Sequence, residues 1–204
     1  MNARLAVLAS GTGTNLQALM DDPVVGPHVA LVVSDRPDAM ALERARDRRV
    51  ETAICEPRSF PDREAHDRAL RELLEAKGID CIALAGYMRI VGPELIAAFP
   101  ERIVNLHPAL LPAFPGMRSV ADALAWGVKV TGVTVHLVDE EVDHGPIVAQ
   151  EPVRVLDDDD LDSLMERVHD TEHRIFPMAV RALVEGRLKV EGRVVHVLEE
   201  EGKG

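Results

Sequence analysis

Along residues 4–107, short apolar runs alternate with segments of helical period, and this alternation restricts the chain more than any other feature. RLAVLAS reads as a buried strand, followed by TNLQALM with Leu16, Leu19 and Met20 on one helical face. HVALVVS, ETAICE, DCIALAG and RIVNLH repeat the strand pattern; DAMALERARDRR, PDREAHDRALRELLEAKG and PELIAAF repeat the helical one, with Gly78 well suited to end the second of these. A β-α-β-α order makes successive strands parallel, because each crossover returns over the sheet. The predicted fold class is therefore α/β: an open, mostly parallel twisted sheet with helices on both faces.

After residue 117 the rhythm changes. SVADALAWG is helical, whereas VKVTGVTVHLVDE and PIVAQEPVRVL are extended runs joined by a short turn, predicted as antiparallel strands in the C-terminal half. A long helix follows, with Leu161, Leu164, Met165, Val168 and Ile175 in period and a kink expected near Pro177. The acidic run from Asp157 to Asp160 matches no EF-hand spacing and suits the positive end of that helix. RLKVEGRVVHVL closes as a hairpin turning at Glu191-Gly192. With no linker, repeat or low-complexity tract, one domain over residues 1–204 is expected, with the hairpin of 186–204 as an appendage.

Composition excludes several classes. A hydrophobic fraction of 47% is too high for a disordered chain of 204 residues. No apolar stretch reaches membrane-spanning length, and MNARLAVLAS lacks a signal-peptide layout, so no membrane association and a cytoplasmic location are expected. A net charge of −12 argues against nucleic acid, which needs a cationic footprint, but not against small anions held by backbone N–H groups. Cys55 and Cys81 sit in apolar runs and read as buried thiols; no spacing suggests a metal site.

Two segments could carry chemistry. SGTGTNL, between the first strand and the first helix, lies where open parallel sheets bind ligands. Gly11 and Gly13 permit close approach, Thr12 and Thr14 add hydroxyls, and the helix start aims N–H groups at an anion. A dinucleotide fingerprint would need glycine where Leu16 stands, although Asp35 falls about where a ribose-binding acid is expected. A phosphate monoester fits better than a dinucleotide, with a plain structural turn as the other reading.

The second segment is IVNLHPALLPAFPG. Alternation along a strand places Ile103, Asn105 and His107 on one face, and Pro108, Pro112 and Pro115 stiffen the exit. An amide and an imidazole presented together suit an acyl-transfer site, where one donor holds an oxyanion and the other moves a proton. A solvated strand end accounts for the same spacing. Asp143, in the VDEEVDHGPI turn, is a third candidate, and a turn carboxylate commonly satisfies its own backbone.

Taken together these segments resemble the phosphoribosylglycinamide formyltransferases, the folate-dependent enzymes of purine biosynthesis. The carriers are SGTGTNLQAL, SFPDREAHDRAL, LAGYMRI, IVNLHPALLPAFPG, KVTGVTVHLVDEEVDHGPIVAQ and TEHRIFP, which run along almost the whole chain. The resemblance implies a Rossmann-like formyltransferase fold with a phosphate-binding half (1–100) and a folate and catalytic half (101–185). It implies Asn105, His107 and Asp143 as the catalytic trio. Gly11, Thr12, Gly13, Thr14 and Asn15 would bind the substrate phosphate, and Glu172 the ribonucleotide. Arg63, Met88, Arg89, Ile90, Asn105 and the turn of Asp139, Glu140, Glu141, Val142 and Asp143 would line the folate pocket. The co-substrate implied is 10-formyltetrahydrofolate, its formyl group passing to the amine of glycinamide ribonucleotide without metal or redox chemistry. Both substrates are small molecules, and a homodimer is compatible with the sequence.

Family members usually carry a His two residues after the Pro-Gly of 115–116, and here Arg118 stands there. Arg is permanently cationic, so it is expected to pair with Asp143 or a phosphate and to modulate the proton route without titrating. His144 reads as a solvated turn residue, and His169 receives no role. Two alternatives follow: a hydrolase deformylating 10-formyltetrahydrofolate with water, which has no need of a phosphate loop, and a catalytically impaired ligand-binding relative.

Overall fold

The computed structural model describes residues 3–199, so the ends of the expected domain (1–204) and hairpin (186–204) lie outside the described residues. In chain order the elements are β1 (Leu5–Leu8), α1 (Thr14–Asp21), β2 (Val29–Ser34), α2 (Met40–Asp47) and β3 (Glu51–Ile54). Then come α3 (Arg63–Ala76), β4 (Cys81–Leu84), α4 (Pro93–Ala98), β5 (Ile103–His107) and α5 (Ser119–Trp126). The chain closes with β6 (Val130–Leu137), β7 (Ile147–Arg154), α6 (Leu161–Val184), β8 (Leu188–Glu191) and β9 (Val194–Val197).

The strands form one sheet in the order β3-β2-β1-β4-β5-β6-β7-β9-β8. From β3 to β5 every pairing is parallel, as the alternation predicts; β5–β6 and β6–β7 are antiparallel. The buried strands β1 and β4 read as continuous apolar runs because helices cover both of their faces. On one face Val7, Val104 and Val135 pack with Leu16, Leu42 and Phe176 from α1, α2 and α6. On the other, Leu8, Leu31, Ile82 and Ile103 pack with Leu70, Leu74 and Leu95 from α3 and α4. Both thiols are buried, and burial pushes Cys55 up to about 11 and Cys81 to about 12.

Several boundaries follow from local chemistry. Asp62 caps α3 by accepting the Ala65 N–H at 2.8 Å, and Gly78 leaves the helix at φ 60°. Asp160 and Ser163 form a reciprocal capping box at the start of α6, so the acidic run is a helix start. α6 continues as one helix through Pro177 where a kink was expected; Pro177 is buried inside it. The hairpin is the sheet's edge rather than a separate appendage, since β9 pairs with β7. No helix among the described residues is long and apolar enough to cross a membrane.

Candidate active site

The carboxyl ends of β1, β4 and β5 open side by side, and a loop follows each of them. After β1, Gly13 precedes α1 with φ 74°, and a Cβ there would lie 2.7 Å from the Cα of Ala41. Glycine is thus needed both for the left-handed turn and for the close approach to α2. Ala41 donates its N–H to the Gly11 carbonyl at 3.1 Å, and Arg44 Nε donates to the Thr12 carbonyl at 2.8 Å. These bonds turn the loop's carbonyls away. Among the described residues nothing accepts from the N–H groups of Gly13, Thr14 or Asn15, an anion cradle at a helix start. Leu16, where a dinucleotide fingerprint needs glycine, is fully buried in the core.

Asn15 turns its side chain elsewhere. Its Nδ2 donates to Glu172 Oε2 at 2.9 Å, while its Oδ1 is buried without a partner. Burial pushes the Glu172 carboxyl above its ordinary value, opposed by the Asn15 amide and by His169, 3.9 Å away. α6 therefore delivers Glu172 to the first residues of α1.

The loop after β4 hangs between two anchors. Ser10 Oγ accepts the Met88 N–H at 2.8 Å, and Arg89 Nε donates to buried Asp35 at 2.9 Å. Asp35 is thus committed to Arg89 rather than set out for a ribose. Met88 and Ile90 are more than half exposed. Arg63 pairs with Asp67 at 3.4 Å and reaches the Ile90 carbonyl at 3.4 Å, which places it behind the rim of this loop.

Asn105 and His107 leave β5 on the face predicted from alternation, and the antiparallel turn of residues 138–146 brings Asp143 to both. Asn105 Nδ2 lies 3.4 Å from Asp143 Oδ1, and His107 Nδ1 lies 3.4 Å from Asp143 Oδ2. His107 Nε2 donates to the Phe114 carbonyl at 2.9 Å. Phe114 and Asp143, the two residues facing the imidazole, both have left-handed backbones, at φ 52° and 53°. Such strain in non-glycine residues is characteristic of functional sites. Burial opposes ionisation of Asp143 more than any other single effect. Its contact with His136, the Gly116 N–H and the two nearby imidazoles together outweigh burial and hold the carboxyl below its ordinary value.

His136 is the residue that sequence reasoning missed. It sits opposite Asn105 across the β5–β6 ladder and is almost fully buried. Its Nδ1 lies 2.8 Å from the Leu137 carbonyl, and its Nε2 lies 3.1 Å from Asn105 Nδ2 and 3.7 Å from Asp143 Oδ1. Only the register of β6 on β5 could have revealed it. Thr134, opposite His107, accepts the Leu111 N–H at 3.1 Å, and Gln150 Nε2 donates to the Leu111 carbonyl at 2.9 Å. These bonds, more than the prolines alone, hold the exit of β5.

One expectation is corrected. Arg118 pairs with Asp122 one helical turn on, at 3.6 Å, and its side chain is 80% exposed, so it meets neither Asp143 nor the glycine loop. As the first residue flanking α5 its side chain follows the helix surface outward. His144 is exposed in its turn, as expected, and it also has partners: its Nδ1 lies 2.8 Å from Asp139 Oδ2, and Arg193, the residue before β9, approaches its Nε2.

Between these loops lies a cleft of about 220 Å³, lined by Tyr87 to Val91, Asn105, His107, His136 and the turn of Asp139 to Asp143. It draws on residues from both halves of the chain. Among the described residues no group of three or more His, Cys, Asp or Glu side chains is placed to hold a metal ion. The cleft combines apolar lining from Leu84, Ile90, Val91 and Val138 with an amide, two imidazoles and the Asp143 carboxylate.

Residues 3–180 match the Formyl transferase family. The phosphoribosylglycinamide formyltransferase of Mycobacterium tuberculosis is 49% identical, over 94% of this chain and 89% of its own. That of Bacillus subtilis is 40% identical over 89% and 94%. The crystal structure of glycinamide ribonucleotide transformylase 1 from Symbiobacterium toebii, 50% identical, superposes over 97% of this chain and 95% of its own with a TM-score of 0.93. A glycine loop, a β5 amide and imidazole, and a turn carboxylate thus sit on a shared fold, and the chain belongs to the formyl transferase family, among the phosphoribosylglycinamide formyltransferases.

Proposed function

We propose that the protein transfers the formyl group of 10-formyltetrahydrofolate to the primary amine of glycinamide ribonucleotide, a step of purine biosynthesis. The observation that carries this reading is Asp143, which stands 3.4 Å from both Asn105 and His107 at the inner end of the cleft. The glycine loop and Glu172 favour a phosphorylated acceptor over water, and so transfer over hydrolysis. Both substrates are small, and we place the reaction in the cytoplasm.

In this reading the flat donor lies between residues 87–91 and 139–143, and the acceptor's phosphate sits on the N–H groups of residues 11–15. The amine nitrogen adds to the formyl carbon, and the carbonyl oxygen becomes an oxyanion. Asn105 Nδ2 now reaches Asp143 Oδ1 over a long contact, which the oxyanion takes over. His107, anchored through Nε2 to Phe114, supplies the second donor from Nδ1. Ionised Asp143 accepts a proton from the attacking nitrogen and passes one to the donor nitrogen as its bond to the formyl carbon breaks. His136 keeps the Asn105 amide in register.

The test is an assay of purified protein with 10-formyl folate, with and without glycinamide ribonucleotide, following deformylated folate by absorbance. Turnover that requires the ribonucleotide is expected. Equal turnover without it would establish the hydrolase instead, and binding of both ligands without turnover an impaired relative.

A further inference from the structure

The turn of residues 138–146 carries Asp143 and one wall of the cleft, yet half of it projects from the sheet. Its far end is fixed: Leu137 donates its N–H to the Pro146 carbonyl at 2.8 Å, and a Cβ on Gly145 would collide with the Leu137 carbonyl. Within the turn, Asp139 Oδ1 accepts the Glu141 N–H at 3.1 Å. What meets the turn from outside is the C-terminal hairpin, which the catalytic reading leaves without a task.

β9 joins β7 at Val194 opposite Ile147, and this register sets Arg193, just past the hairpin turn at Gly192, beside residue 144. Arg193 Nη2 donates to the His144 carbonyl at 2.6 Å, and Nη1 lies 3.3 Å from His144 Nε2. On the other side of the ring, Nδ1 lies 2.8 Å from Asp139 Oδ2. A carboxylate only accepts, so Nδ1 carries the proton and Nε2 presents its lone pair to the guanidinium. The imidazole is thus a linker between Arg193 and Asp139, with the guanidinium fork also holding the backbone one residue from Asp143.

We propose that Arg193 is a positioning residue: acting through His144, the hairpin braces the 139–144 turn in the shape that closes the formyl-donor pocket. This rests on the formyl-transfer reading for the identity of the donor. The turn's base and Asp143 are held from inside the site, whereas its outer part, with adjacent acids at Asp139, Glu140 and Glu141, meets an outside cation at Arg193 through His144.

The experiment compares Arg193→Ala, Arg193→Lys and His144→Ala with the parent, by amide hydrogen exchange and by kinetics with 10-formyl folate and glycinamide ribonucleotide each varied. In Arg193→Ala, exchange across residues 139–145 should quicken, and the KM for 10-formyl folate should rise roughly two- to tenfold, the range of one net hydrogen bond. The KM for the ribonucleotide should not move. Arg193→Lys should recover part of the effect through the His144 carbonyl, and His144→Ala should show a smaller loss, since that carbonyl survives. Unchanged exchange and donor KM in Arg193→Ala overturn the proposal. So does faster exchange throughout the protein, or a rise of both KM values together, which mark general loosening. Exchange needs no turnover: quickening confined to 139–145 in a protein that formylates nothing upholds the brace and overturns the formyl-transfer reading.

Discussion

Gly116 donates its backbone N–H to Asp143 Oδ2 at 2.7 Å, and that bond joins the exit of β5 to the β6–β7 turn. The two loops approach from opposite directions, and His107 lies between them, with Nε2 on Phe114 and Nδ1 facing Asp143. One carboxylate is therefore the point at which the site closes. Its position depends on backbone as much as on side chains.

Gly116→Ala tests that dependence. Gly116 has φ 92° and open space beside its Cα, so an added methyl strains the backbone without meeting a neighbour. The variant should lose roughly 1–2 kcal/mol of stability by chemical denaturation. Its kcat should fall as the N–H turns from Asp143; an unchanged kcat would show that this bond is dispensable.

Asp143→Asn should lower kcat by about 10²–10³, with little change in KM for 10-formyl folate, if the carboxylate acts in the transition state. It also has a pH signature. The folded-state pKa of Asp143 is held below its ordinary value, so its contribution to stability is present above the unfolded value and lost as pH falls through the folded one. Below about pH 4 the parent's Tm should therefore drop more steeply than that of the variant. Parallel Tm curves would contradict the assigned ionisation.

Gly13→Ala should damage the proposed phosphate site selectively. The methyl has no room against Ala41 and the left-handed backbone disfavours it, so a cost of about 1–3 kcal/mol is expected. KM for the ribonucleotide should rise well above the parent's while KM for the folate stays level. Calorimetric titration with each ligand separates the two.

Asp35→Asn leaves Arg89 without its buried carboxylate partner and should cost about 1–3 kcal/mol. Because Arg89 lies in the loop that lines the cleft, KM for 10-formyl folate should increase as well. Arg89→Lys, which keeps the charge but loses the Nε–H bond to Asp35, should cost less than Asp35→Asn.

Arg118→Ala should leave kcat within about twofold of the parent, as expected for an exposed side chain paired only with Asp122. The same holds for Arg118→His and its pH–rate profile. A displaced pH optimum would show that position 118 reaches the proton route in the working enzyme.

Much of this was legible in the chain. Periodicity located the strands and helices, the Asp157–Asp160 run announced a helix start, and strand alternation set Asn105 and His107 on one face. Each is a short-range rule, satisfied within a few residues. Arg118 was misread, and the partners of His144 went unforeseen, because both outcomes depend on which neighbours tertiary packing supplies.

By itself, then, the sequence determined an α/β sheet with a glycine turn after its first strand, and an amide and imidazole at the end of another. Their local geometry follows from backbone alternation, turn chemistry and helix capping. Only the tertiary structure decided that Asp143 meets both residues, that His136 faces Asn105 and that Arg193 grips the 139–144 turn. Those contacts follow from the antiparallel register of β6 on β5 and the pairing of β9 with β7. Such registers are selected by burial across the whole sheet, and no residue pair near in sequence encodes them.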